Sequence, residues 1–217
     1  MIQIMTAPES ERMTDGQIEN AVNKLRDAMR KHRGEIGSDV AQQVLGVANI
    51  GMLMFAPFRE RVEAISNLIV RRVRVNRGRS PQEALDATGR VQYTNRSVVN
   101  SMPAATADEV EIVLLKPDLK KYNGHISDDD LEKEFASCVL GPLDAVDPIS
   151  LASLNEDDPA LADKYPNGTH WRGPKGEWNF AAFYHWNGRR KVSVDRSDCD
   201  WYDFWWFAGV RKVALGA

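Results

Sequence analysis

Between Trp178 and Trp186 an aromatic or small apolar residue occupies every second position, as Trp178, Phe180, Ala182, Tyr184 and Trp186, and Asn187-Gly188 follows at once. Side chains alternate across a strand, so this spacing places all five on one face. Asn-Gly takes positive φ at both central positions of a tight hairpin, and a second strand is predicted at residues 191–196. A polar turn at 197–200 and a third strand over 201–212 complete a predicted antiparallel meander, with Trp201, Trp205 and Phe207 facing the aromatics of the first strand. Trp205 and Trp206 are consecutive and must point to opposite faces. The sheet therefore needs a cover on its second side, and helices of the same chain are expected to supply it.

The first third of the chain has a different period. Thr14 and Gln17 form a capping box, and Ile18, Val22, Leu25 and Met29 recur at spacings of four, three and four, predicting a helix over residues 15–33 that ends near Gly34. Ser38 is expected to cap a second helix reaching about residue 54, with Val40, Val44, Ala48 and Met52 on one stripe. Pro57 suits the first turn of a third helix, with Val62, Ile65 and Leu68 inward. A strand is predicted at 69–76, where Val73 and Val75 alternate with Arg72 and Arg74. Ser80, Pro81 and Glu83 then open a short helix that Gly89 closes. Residues 103–106 have no apolar period and read as a link. A strand at 110–115, a Ser127–Asp130 cap, and the Asp147-Pro148 and Asp158-Pro159 caps follow.

The fold class is accordingly α+β: a helical domain at 1–68, a basic strand-helix segment at 69–105 that either bridges the two domains or belongs to the second, and at 106–217 a small antiparallel, aromatic-rich sheet flanked by helices. With 43% apolar residues in 217, there is enough material for two cores. The net charge of −3 hides an asymmetry, 15 Lys/Arg against 11 Asp/Glu in residues 1–105 and 13 against 20 in 106–217, which fits two ordinary solvated surfaces. Cys138 and Cys199 belong to no Cys-x-x-Cys pair, so neither a disulfide framework nor a zinc ribbon is signalled, and a cytoplasmic location is expected. The apolar stretch at 40–56 is broken by Gln42, Gln43 and Asn49 and is short of the ~20 residues that span a bilayer, so no membrane partner is expected.

Three constellations offer chemistry. Arg71, Arg72, Arg74, Arg77 and Arg79 fall within nine residues, and guanidinium groups suit phosphate because they donate paired hydrogen bonds. An arginine-faced strand is equally a way of solvating a sheet. His170 and His185, with Asp195, Asp198, Asp200 and Asp203, would make an acid/base or metal site if the hairpins gathered them, yet their spacing matches no such motif, and no metal or cofactor is expected. Trp171 and Trp206 are interface candidates, since exposed tryptophan anchors protein contacts. Nucleotide-loop, zinc-protease and serine-hydrolase motifs do not occur.

The segments Arg77-Gly-Arg-Ser-Pro-Gln-Glu-Ala-Leu-Asp-Ala-Thr-Gly-Arg90, Gln92-Tyr-Thr94, Val98-Val-Asn-Ser-Met-Pro103, Asn167-Gly-Thr-His-Trp171, Trp178-Asn-Phe-Ala-Ala-Phe183 and Trp205-Trp-Phe-Ala-Gly-Val-Arg-Lys212 together resemble a family of uncharacterised proteins carried by bacteria, phages and other mobile elements. The resemblance covers about residues 69–212 and implies no activity and no site residues. It implies a phage or prophage accessory protein acting inside a bacterium. The function expected is therefore non-enzymatic binding of a host protein or complex, counter-defence being one such role. Nucleic-acid binding through Arg71–Arg79 is the alternative, and a hydrolase-like enzyme the third reading.

Overall fold

The structure is a computed structural model that describes residues 13–198 and 200–212. Cys199 lies outside the described residues. The chain divides into two units, Met1–Val62 and Glu63–Ala217.

In the first unit, helix α1 (Asp15–Lys31) starts on the predicted capping box: Thr14 Oγ1 accepts from the Gln17 N–H, and the Gln17 side chain accepts from the Thr14 N–H. Gly34 falls within a 3-10 turn at Arg33–Glu35 and does not close the helix. Helix α2 (Ser38–Leu45) is capped by Gly37, with no side-chain cap from Ser38. The continuous helix expected through residue 54 is broken at 46–49, because Asn49 adopts a left-handed φ of 62°. Its carbonyl then accepts from the N–H groups of Met52 and Leu53 and starts α3 (Ile50–Ser66). Pro57 consequently sits inside α3 and not in its first turn. Helices α2 and α3 meet at 87°, and no single helix among the described residues is long and apolar enough to cross a membrane.

The second unit holds β1 (Leu68–Arg74), α4 (Pro81–Ala87), β2 (Val91–Thr94), α5 (Arg96–Val99), β3 (Glu109–Leu115), β4 (His125–Ile126), α6 (Asp128–Ala136), β5 (Leu143–Ala145), α7 (Pro148–Asp157), α8 (Leu161–Lys164), β6 (Asn167–Arg172), β7 (Trp178–Trp186), β8 (Arg189–Arg196), β9 (Trp201–Tyr202) and β10 (Trp206–Arg211). The α+β class holds. The sheet is mixed, though, with eight strands in the order β1-β3-β10-β6-β7-β8-β2 and β5 also against β10. Strand β10 runs parallel to β6, and β2 parallel to β8; the other pairs in this sheet are antiparallel. Short β4 and β9 pair apart from it.

The expected hairpin forms, with Asn187 and Gly188 at φ 52° and 71°. The meander does not continue. Strand β10 lies between β3 and β6, a position that suits a run in which Trp206, Phe207, Ala208 and Gly209 are all buried. Of the two placings open for residues 69–105, a bridge or a part of the sheet domain, the structure has the second, because β1 pairs with β3 along seven residues and β2 with β8 along four. Asp158 caps no helix, as α8 starts after Ala160.

Each face of the sheet has its own core. Ile69, Ile112, Phe183 and Trp206 pack with residues of α4, α5, α7 and α8. On the opposite face Val113, Ala182 and Phe207 pack with Leu131 and Phe135 of α6 and with Trp201. Trp205 and Trp206 do point oppositely: Trp206 meets Tyr165 edge-on at 5.1 Å, while Trp205 meets Tyr184 at 5.8 Å and Trp201 at 5.3 Å. Gly168 makes room for Trp201, whose ring would lie 3.3 Å from a Cβ added there.

Candidate functional site

The arginine run is drawn into ion pairs. Register places Arg72 opposite Glu111, which its Nε reaches at 3.1 Å. Arg71 donates to Glu63 at 2.7 Å. Arg77 grips Asp147 with both terminal nitrogens (2.8 and 3.3 Å) and also donates to the Ser150 hydroxyl and the Ala107 carbonyl. Asp147 is at the same time the N-cap of α7, accepting from the Ser150 N–H, so Arg77 locks the loop after β1 onto that helix start. Arg79 forks onto Glu156, whose carboxylate holds the guanidinium above its ordinary value. Arg74 is exposed and stands at the rim of a cleft of about 800 Å³ that also presents Arg77 and Arg79. The same cleft carries Asp108, Glu109, Glu156 and Asp157, so its lining is mixed in charge. A phosphate entering it would have to displace carboxylates already held by two parallel hydrogen bonds.

The structure does not gather the candidate histidines and aspartates into one site. His185 is exposed, Asp195 accepts from the Asn95 amide at 3.1 Å, Asp200 lies 3.2 Å from His125, and Asp198 and Asp203 are exposed. Buried His170 on β6 instead meets two carboxylates of α6. Its Nδ1 is 2.8 Å from Asp128 and its Nε2 2.8 Å from Glu132. Only half of this arrangement is local in sequence: Ser127 caps α6, and Asp128 and Glu132 lie four positions apart, on one helical face.

Asp128 is further held by the Trp201 indole N–H at 2.9 Å and by the Ser197 hydroxyl. Burial pushes its carboxyl up, but the hydrogen bonds from His170, Ser197 and Trp201 outweigh this and leave it below the usual range. Glu132 is depressed chiefly by its hydrogen bond with His170. For His170 itself burial opposes protonation, while the two carboxylates overcome it and raise the imidazole. The ring stacks on Trp178 at 4.5 Å and meets the edge of Phe135 at 5.9 Å. Arg172 closes the stack, 3.7 Å above Trp178, and donates to Asp129, as does the Trp178 indole. With both nitrogens and its faces engaged, this imidazole ring is a clasp between α6 and the sheet. It has no free nitrogen to offer a substrate.

Trp171 and Trp206, considered as interface anchors, are 8% and 6% exposed and belong to the core, covered by the chain's own helices. Most of the exposed large apolar side chains lie in the first unit, although Val139, Trp186 and Tyr202 of the second are exposed too. Among the described residues to Val62, no apolar side chain is buried, and sixteen large ones, from Met13 to Val62, are more than a third exposed. An apolar groove of about 530 Å³ opens between α1 and α3, walled by Met13, Ala21, Phe55, Phe58 and Val62. Comparison of the chain with protein-family models, with curated proteins and with solved structures finds no match.

Proposed function

We propose that this chain is a non-enzymatic accessory protein that works by binding a bacterial protein or complex through its helical unit. The observation that carries the reading is the absence of any buried apolar side chain among described residues 13–62, beside a second unit with a core on both faces of its sheet. An amphipathic helix is stabilised mainly by covering its apolar face, so these helices call for a cover. The resemblance of residues 69–212 to phage and mobile-element proteins supports a partner inside a bacterial host, with counter-defence as one such role. The nucleic-acid reading draws less support, because Arg71, Arg72, Arg77 and Arg79 are already engaged by carboxylates.

The test is affinity purification of the tagged full-length chain from bacterial cells, beside a Val44→Asp/Leu53→Asp variant. The wild type is expected to recover a defined host protein in near-stoichiometric amount, and the variant to lose it while melting at the same temperature. Equal recovery by both overturns the reading. So does a salt-sensitive nucleic-acid complex that an Arg74→Ser change removes.

A further inference from the structure

Resting on the reading that the helical unit is the docking element, we propose that α1 pairs antiparallel with α1 of a second copy of this chain, making the protein a two-fold dimer. The four-three-four spacing of Ile18, Val22, Leu25 and Met29 is that of a coiled-coil seam, with Ile18 and Leu25 at d positions and Val22 and Met29 at a positions. All four side chains are exposed. Two such stripes running in opposite directions about a point between Asn23 and Lys24 pair Ile18 with the partner copy's Met29 position and Val22 with its Leu25 position. Every layer then joins an a to a d residue.

Charge selects this orientation and this occupant. Glu19 and Arg26 follow the two d residues directly and flank the same edge of the seam. An antiparallel copy brings each Glu19 beside the other chain's Arg26, whereas in a parallel copy these edge positions face the partner copy's positions 14 and 21, a Thr and an Ala, and meet no opposite charge. The rest of α1 follows the same rule, with Asp15 and Glu19 in its first half and Lys24, Arg26, Arg30 and Lys31 against Asp27 in its second. The surface is thus complementary to itself under a two-fold axis, as an isologous contact requires. Half-exposed apolar side chains leave roughly 80 Å² apiece, so the four of the seam offer about 320 Å² per chain, less than the roughly 800 Å² per partner of a standard interface, and the pairing is of the weak, concentration-dependent class.

The full-length chain is tested by sedimentation or light scattering up to roughly 100 μM, a range that detects even weak pairing. The expected mass is twice the 24.4 kDa of one chain. Glu19→Arg is expected to weaken the dimer about tenfold, because it sets like charges opposite at two symmetric places, and Glu19→Arg with Arg26→Glu to restore it. In a Cys138→Ser/Cys199→Ser background, Val22→Cys plus Leu25→Cys should cross-link on oxidation and Val22→Cys alone should not. Cross-linking by Val22→Cys alone overturns the orientation, and indifference to the Glu19 change overturns the seam. A chain that stays monomeric overturns the dimer. If Val22→Ser/Leu25→Ser then abolishes capture of a host protein, the docking reading stands with another occupant. A dimer whose host capture survives Val44→Asp/Leu53→Asp keeps the seam and removes that reading.

Discussion

The sheet unit and the helical unit use the same kind of sequence signal and reach opposite ends. In the sheet unit, period-two alternation along β7 puts Ala181 and Phe183 into one core and Ala182 into the other, and the chain covers both faces itself. In the helical unit, the period of α1 produces a well-capped amphipathic helix whose stripe meets no cover within the unit. Periodicity thus dictates the element and the face that wants burial. It does not say whose atoms do the burying.

The sharpest test of that contrast compares large-to-small changes in the two units. Phe207 is 0% exposed and meets Trp201 edge-on at 5.2 Å, so Phe207→Ala should cost about 3–5 kcal/mol in urea unfolding. Phe180 and Trp205 are only partly buried and should cost less. Leu25→Ala, which removes as apolar a group from the exposed stripe, should leave unfolding of the sheet unit unchanged. Equal losses for Phe207→Ala and Leu25→Ala would show that the helical unit has a core of its own.

Next in size is the clasp that holds α6 to the sheet. His170→Ala leaves the Asp128 carboxylate buried with Ser197 and Trp201 but without its cation, and removing one partner of a buried pair costs about 3 kcal/mol. Asp130→Ala, on the same helix but against exposed Lys133, should cost much less. A His170→Ala protein as stable as the wild type would make the clasp incidental.

The same group predicts a pH dependence, smaller than the loss on deleting it. Because the folded value of His170 lies above the ordinary 6.5, its contribution is complete below about pH 6.5 and is lost as pH rises through the raised value. Asp128 and Glu132 are depressed, so their contributions are present above the ordinary values of 3.8 and 4.5 and are lost as pH falls through the folded ones. Stability should therefore be greatest between roughly pH 5 and 6.5. In His170→Gln the decline on the alkaline side should flatten, which thermal melts at pH 6, 7 and 8 will check.

Which of these features could be read from the sequence follows from the range of the interactions. The caps at Thr14, Ser80, Ser127 and Asp147 and the Asn187-Gly188 hairpin are set within about four residues, and each forms as expected. The place of β10 depends on β3 and β6, and its buried run has no alternation to reveal a neighbour. The clasp joins residues 38 and 42 positions apart, and no local spacing ties His170 to carboxylates that distant in the chain. Pro57 lies inside a helix for a local reason: the left-handed Asn49 provides an earlier helix start, and α3 runs through the proline.

The smallest effect expected is also the most diagnostic. Val44 on α2 and Val192 on β8 are the same side chain, the first 48% exposed and the second fully buried. Val192→Ser removes methyl groups from a packed core and leaves a hydroxyl there to be satisfied, so it should destabilise by about 2 kcal/mol or more. Val44→Ser removes methyl groups that already touch water, and surface changes of this kind stay within about 0.5 kcal/mol. What Val44→Ser should change is association: less binding of an apolar dye and less capture of any protein that docks on α2. If it instead destabilises the chain as much as Val192→Ser does, the helical unit covers its own stripes, and the contrast between the two units, with the binding role built on it, falls.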